Sequence, residues 1–577
     1  MTTHDEPHTI GRWLIDRAAQ SPGRIAIDDR GVTLTYDELA RRSATLADRL
    51  RQAGYGAGHR IATVSGNSSD HVVAFFACAL AGVAFVPLSW RLTPVELAHM
   101  LVRSAPALVL VEDEYATLAA EALRAVTDGA DTSPSGAHDP DAASAAAGTA
   151  VPPTAALGTT GIEGGPTRPD SPGGAAAPFG VGVGTVPVAP DPRPAAPVRD
   201  DDPLLVIFTS GSEAAPKGVV LTHANCFWNN LAFAQALPLA QHDVVLAMLP
   251  QFHIAAWNCQ PLLAWWTGAT VVLERSFQPT RVLQLIRERR VTAMMGVPTQ
   301  YALLAADREW ASSDLSSLRM ALVGGATMPA ALHDEWGARG VALTQGYGLT
   351  EAGPNVLHLA AADAPAHAGA VGRPYPGVVV RVVDSDTLLP LEGEATGELW
   401  VRGPSVFAGY LGDPAATERA MHDGWLRTGD IVHRDADGIL RVVDRLKDII
   451  ISGGENVAPA EVEAALLRHP LVEAAAVVGV ADPVWGERGV AFVVRADGAA
   501  LSADEVLAHA RRNLAAFKVP VRIEFLAELP RSAIDKLARG QLRAQARLLM
   551  SGSAGSSAAS AASAGPAAPA AAERSTR

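Results

Sequence analysis

Four lysines stand in this 577-residue chain against 43 arginines: Lys217, Lys447, Lys518 and Lys536. A chain that otherwise chooses arginine keeps lysine where a compact, mobile ammonium serves better than a planar fork. Lys217 closes the run TSGSEAAPK, which follows the apolar stretch LLVIF. There Thr209, Ser210, Gly211 and Ser212 offer hydroxyls and approachable backbone N–H groups, a nest suited to polyphosphate, and Lys217 adds charge. The Walker pattern G-x-x-x-x-G-K-[ST] is absent, and in isolation the run also reads as a polar turn before a helix. Lys447 lies between acids in DRLKD, shortly before Gly453 and Gly454, and Lys536 lies in LPRSAIDKLAR near the end of the last folded segment. Two phosphate-type loops and a late lysine point to chemistry on a nucleotide.

Further loops carry complementary groups. QGYGLTE, residues 345–351, puts an aromatic ring, a hydroxyl and a carboxylate together. Tyr347 is suited to stack on adenine, Thr350 to touch phosphate, and Glu351 to hold Mg²⁺ through oxygen. WLRTGD, residues 425–430, ends a strand with Asp430, a carboxylate able to take both ribose hydroxyls. Taken singly, Glu351 and Asp430 read equally as solvated loop acids and His253 as a core histidine. Lys518, in FKVP, reads as a surface or stem-packed lysine, and Trp265 and Trp266 beside Gly268 as helix packing.

The elements that must position these loops show an α/β rhythm. Tyr36 to Ala53 has helical periodicity, RIATVSG reads as a strand, Ser69 to Gly82 as a helix, and AFVPL and ALVLVED as strands. DVVLAMLP, ATVVLE, VTAMMGVP and MALVGG continue the pattern; GELWVRG, GWLRTGDIVHRD and GILRVVDR read as short antiparallel strands. A final α+β segment begins near Ile449, so a hinge falls near Arg445 to Lys447. The expected architecture is α/β: a large N-terminal domain with layered sheets, residues 1–445, then a small mobile α+β domain, 446–549. Residues 127–199, rich in Ala, Gly, Pro, Ser and Thr, read as a disordered insertion, and 550–577 as a disordered tail.

A hydrophobic content of 48% supplies large cores, and a net charge of −14 argues against a nucleic-acid surface or affinity for anionic membranes. HVVAFFACALAGVAFVPL, broken by glycine, reads as a buried helix and strand rather than a membrane span, and MTTHDEPHTI has no signal-peptide pattern. Cys78, Cys226 and Cys259 have no ligand spacing and read as free, buried thiols. The expected compartment is the cytoplasm.

In order and separation these motifs resemble the adenylate-forming superfamily of acyl-CoA synthetases, adenylation domains and luciferases. FVPLSWRLTPVEL, LPQFHIAAWNCQPLLAWWTGATVVLE and MGVPTQY look most like its fatty-acyl-CoA synthetase branch. The resemblance implies a phosphate loop from Thr209 to Lys217, with Thr209 a second Mg²⁺ contact beside Glu351. It implies an adenine pocket of Gly324, Gly325, Ala326, Gln345, Gly346 and Tyr347, phosphate and metal contacts at Thr350 and Glu351, and ribose and phosphate contacts at Asp430 and Arg445. Lys447 would be the hinge, Gly453 and Gly454 the small domain's glycine loop, and Lys536 the bridge between acyl carboxylate and α-phosphate. His253, Trp257 and the segment after Gly348 would line the acyl site.

The implied reaction activates a carboxylic acid, expected to be fatty, with ATP and Mg²⁺ to acyl-AMP, then transfers the acyl group to coenzyme A. Two alternatives stand beside it: an adenylating enzyme with another acceptor (a separate carrier protein, an amine or a small inorganic nucleophile), and a non-catalytic nucleotide-binding relative. The chain departs from the family pattern at Ala214, where the phosphate loop usually has Gly, at Asp535, where Gly usually precedes the late lysine, and at Ala458, where Tyr is usual.

Overall fold

The computed structural model describes residues 9–128, 151–157, 185–209, 216–325, 328–364, 366–367, 369–384, 387–445, 450–496, 498–530 and 539–557. The helical window at Tyr36 becomes the helix Tyr36–Gln52. Thr35 accepts from Glu38 N–H, and the Glu38 carboxylate accepts in return, a capping box that fixes the start. The apolar run after Ser68 becomes Ser69–Ala81, buried on almost every side and stopped by Gly82 at φ 71°. The two helices pack together between two large sheets, where Phe75, Phe85, Leu205, Trp257 and Val271 share one core.

The first sheet has nine strands. Its order is 373–374, 357–359, 343–347, 320–323, 293–296, 244–247, 270–273, 25–29 and 32–35. Six neighbouring strands run parallel from Leu343–Tyr347 to Ile25–Asp29, and the remaining strands are antiparallel. The second has seven: 409–410, 217–222, 203–209, 84–88, 60–64, 108–112 and 154–157. A third, antiparallel sheet of five strands holds Ala395–Arg402, Trp425–Arg434 and Leu440–Arg445, the Asp-Gly-linked strands read from the sequence.

The small C-terminal part is one five-stranded sheet. The helices Pro459–Leu467 and Ala503–Asn513 cover one face through Val462, Leu466, Val506 and Ala510. The helix Arg539–Ser557 covers the other, with Leu542 and Ala546 against Val478, Val490 and Phe492.

Three expectations are corrected. The span 127–199 is not wholly structureless: Thr154–Leu157 adds a parallel edge strand, pairing Leu110 with Ala155 and burying Leu157 completely. Ala189 and Arg193 donate backbone N–H bonds to Ala53 and Gly54, and Ala189 is buried. Edge pairing needs backbone and a few small side chains, so composition did not reveal it. Residues 129–150 and 158–184 lie outside the described residues, as do 558–577, but the last helix runs to Ser557. Lys518 is neither surface nor stem-packed: it is 5% exposed and ion-paired. Trp265 and Trp266 are helix packing as read, the second stacked on Trp13 at 4.4 Å. All three cysteines are free and buried. No described helix is long and apolar enough to cross a membrane.

Candidate active site

A cavity of about 490 Å³ opens at the carboxyl ends of the central strands of the nine-stranded sheet. That is where open α/β sheets place ligands, because loops there diverge around a crevice. Thr209, Lys217, His253, Gly324, Gly325, Gly346, Tyr347, Thr350, Glu351 and Asp430 all line it. Residues from six separate stretches of sequence therefore converge on one chamber.

Thr209 ends one strand and Lys217 begins the next, and the two are cross-strand partners. The phosphate-type loop is thus a hairpin connection, unlike the strand-to-helix loop of Walker proteins. Ser210, Gly211, Ser212 and Ala214 lie outside the described residues. Gly324 and Gly325 follow the strand Met320–Val323, and Gly325 takes φ 79°, which favours glycine. Ala326 lies outside the described residues.

Tyr347 ends the strand Leu343–Tyr347, and its hydroxyl donates to Asp430 Oδ2 at 2.6 Å. Asp430 is held from below: its N–H donates to Thr428, while buried Glu398 accepts from Gly429 N–H and from Arg427 at 3.0 Å. The ribose-type carboxylate therefore sits on a fixed turn. Thr350 and Glu351 form a short 3-10 turn, and the Glu351 carboxylate accepts from the Tyr410 hydroxyl at 2.8 Å. Arg445 pairs in register with Asp430 across the third sheet. Lys447 and Lys536 lie outside the described residues, as does Asp535.

Two expected lining residues do other work. Gln345 lies one pleat deeper than Tyr347, 2% exposed; its amide accepts from Met328 N–H and donates to Val323 O, bracing the glycine loop. Trp257 does not reach the cavity. It is fully buried, stacked on Phe75 at 4.4 Å, with its indole N–H on Gln251 O. Cys259, Met295, Leu322, Asn355 and Tyr375 line the cavity instead.

The small part meets the large part beside the cavity, at its lining residue His253. Gly453 and Gly454 form the turn between Ile450–Ser452 and Glu455–Val457, at φ 59° and 83°. A Cβ on Gly453 would come within 2.6 Å of Trp485, and one on Gly454 within 3.4 Å of Val297 of the large part. Both positions need glycine for conformation, and Gly453 for room as well. The next residue, Glu455, stands in the run GGEN, residues 453–456, and no role for it was expected from the sequence. Its carboxylate lies 2.8 Å from His253 Nε2 and 2.5 Å from Arg91 Nη1, across the interface. Burial works against its ionisation, but His253 and then Arg91 outweigh burial and hold the carboxyl at about 2. Its only sequence signal was a GGEN loop beside a hinge. Ala458 is buried at the N-cap of the helix Pro459–Leu467.

A second interfacial ion cluster lies apart from the cavity. Lys518 Nζ donates to Glu461 Oε1 at 2.6 Å within the small part and to Glu96 Oε1 at 3.0 Å in the large part. Burial opposes the charge, yet Glu461 and Glu96 hold the ammonium well above its usual range.

A model of the AMP-binding enzyme family matches residues 14–411, and one of the AMP-binding enzyme C-terminal domain matches 461–536. The feruloyl-CoA synthase of Amycolatopsis sp is 40% identical over 537 residues, covering 92% of this chain and 98% of its own. The amide bond synthetase McbA from Marinactinospora thermotolerans superposes with a TM-score of 0.78 at 30% identity, over 93% of this chain and 99% of that one. A double mutant of the o-succinylbenzoate CoA synthetase from Bacillus subtilis, bound with its product analogue, gives 0.75 at 28% identity over 92% and 98%. The same enzyme in complex with AMP gives 0.61.

Proposed function

We propose, for a chain that belongs to the AMP-binding enzyme family, that it joins an aryl carboxylic acid to coenzyme A with cleavage of ATP to AMP. Relatives named feruloyl-CoA synthase and o-succinylbenzoate CoA synthetase support the joining of an acid to coenzyme A. The observation that carries it is the convergence of Lys217, Glu351, Asp430 and Tyr347 on one cavity, whose lining residue His253 the small part touches through Glu455. The sequence suggested a fatty acid. The 40% identity to a feruloyl-CoA synthase and the likeness to an o-succinylbenzoate CoA synthetase favour a compact aromatic acid instead.

In this reading Asp430 takes the ribose hydroxyls, exchanging the Tyr347 hydroxyl for them, and Gly324, Gly325 and Tyr347 surround the adenine. Thr209 and Lys217 hold the phosphates. Glu351 lines the cavity and offers a carboxylate oxygen, the ligand type Mg²⁺ takes alongside phosphate and water. Bound there, Mg²⁺ would offset charge on the phosphates. The acid's carboxylate attacks the α-phosphorus, the bond to the β-phosphate oxygen breaks, and pyrophosphate leaves. Lys536 is assigned to the charge developing between carboxylate and α-phosphate. The coenzyme A sulfur then attacks the acyl carbon, AMP leaves, and the thiol proton passes to solvent or base. Lys447 is assigned to the hinge about which the small domain, bounded near 445, swings between the two steps.

Glu455 ties the small part to His253 at the acyl end of the cavity. The superposition scores, 0.75 with a product-analogue complex and 0.61 with an AMP complex of one enzyme, support the thioester-forming arrangement for this structure. A second reading, transfer to an amine, is favoured by the 0.78 match to an amide bond synthetase. The test is a panel of aryl and fatty acids with ATP and Mg²⁺, offered coenzyme A or an amine and read by mass spectrometry. Aryl-CoA as the dominant product is expected; fatty-acyl-CoA or amide in its place overturns the reading.

A further inference from the structure

One aromatic side chain without an assigned task touches two that have one. The Tyr410 hydroxyl donates to Glu351 Oε1 at 2.8 Å, and Lys217 Nζ lies 5.1 Å from the centre of the Tyr410 ring. The backbone is tied to the same two places. Gly409 and Tyr410 pair with Val220 and Val219, on the strand that Lys217 begins. Leu411 N–H donates to Gly218 O and Phe407 N–H to Glu351 O, each at 2.8 Å. From the other side Thr417 Oγ1 accepts from Tyr410 N–H at 2.9 Å and donates to Asp413 O. Segment 407–411 is therefore a strap between the phosphate-type loop and the acidic turn, with Tyr410 as its inward side chain.

We infer that Tyr410 is a positioning residue for nucleotide activation: its hydroxyl sets the Glu351 carboxylate for Mg²⁺, and its ring face holds the Lys217 ammonium beside the phosphate site. The inference rests on the ATP-using reading of this cavity. A free glutamate samples several rotamers and loses that freedom when it ligates, so a hydroxyl that fixes it beforehand removes part of the cost. A hydrogen bond to a carboxylate is short and directional enough to do so. The ring attracts the ammonium through its quadrupole and leaves its N–H donors available to phosphate.

The two arms separate in two variants. Tyr410→Phe keeps the ring and removes the hydroxyl; Tyr410→Leu removes both, and Tyr410→Met replaces it should the leucine variant not fold. Metal binding is read without turnover, by electron paramagnetic resonance of Mn²⁺ titrated into protein saturated with a non-hydrolysable ATP analogue. Metal-free binding of the same analogue is read by equilibrium dialysis. Tyr410→Phe is expected to weaken Mn²⁺ about tenfold, the scale of one hydrogen bond to a charged group, and to leave metal-free affinity within about twofold. The ring-deleting variant is expected to lose about threefold in metal-free affinity as well, the scale of an exposed cation–π contact. Wild-type Mn²⁺ affinity in Tyr410→Phe, or equal loss of both affinities in Phe and Leu variants, overturns the inference and leaves only a structural strap. A wild-type protein that binds neither the nucleotide nor Mn²⁺ overturns the ATP-using reading, and the inference with it.

Discussion

Glu455 links the small part to His253 in the cavity wall. Its carboxylate is almost fully buried between His253 and Arg91, each about one-third exposed, so the charge partners lie on the solvent side. Glu455→Gln keeps shape and one acceptor but removes the charge. Thioester formation from supplied acyl-AMP should fall about tenfold, the scale of a charge-assisted hydrogen bond, while acyl-AMP formation stays within about twofold. Rapid-quench measurement of the two half-reactions decides; equal loss in both would show that Glu455 only supports folding. At this scale the loops were legible because hydroxyl, glycine and acid residues stand at short spacing, as in residues 209–217 and 345–351. Glu455, Arg91 and Tyr410 were not, since each acquires its role from a partner far along the chain. Gln345 was misread because alternation shows which face it shares with Tyr347 but not how deep it sits.

Among the elements, long periodic helices and β-branched strands were plain in the sequence. The strand Thr154–Leu157 was not, because two alanines and a threonine at a sheet edge give no alternating apolar pattern. The Lys518 cluster also belongs to elements. It joins the 3-10 turn Ala516–Lys518, the helix Pro459–Leu467 and the start of the helix Pro94–Ser104. Glu96 has two tasks: Oε2 accepts from Thr93 N–H and hydroxyl to cap its helix, and Oε1 accepts from Lys518. Glu96→Gln keeps an acceptor for the cap and removes the charge facing Lys518, which retains Glu461. The helix should persist while docking of the small part weakens, because a buried ammonium loses one of its two counter-charges. Thioester formation is expected to slow about tenfold with adenylation within about twofold. An unchanged thioester step would show that the pair does not hold this arrangement.

On the scale of the whole molecule, two parts meet beside one cavity, through Glu455 with His253 and Arg91 and through Lys518 with Glu96. The docked turn at Gly453 and Gly454, the Glu455–His253 contact and the Lys518–Glu96 pair define one arrangement. Chemistry at the α-phosphate is assigned to another arrangement of the two parts. A hinge at DRLKD was the expectation from the sequence; the docked arrangement was not legible, since it depends on contacts that no local pattern encodes. The central claim is that one cavity makes an acyl-adenylate and then passes the acyl group to coenzyme A. The most direct measurement is a single-turnover chase: protein, ATP, Mg²⁺ and the preferred aryl acid are mixed without coenzyme A, and coenzyme A is added after the first product has formed. Enzyme-bound acyl-AMP and pyrophosphate should appear first, with AMP and aryl-CoA replacing the adenylate after the addition. Absence of any adenylate, or an adenylate that persists unchanged once coenzyme A is present, would contradict the account.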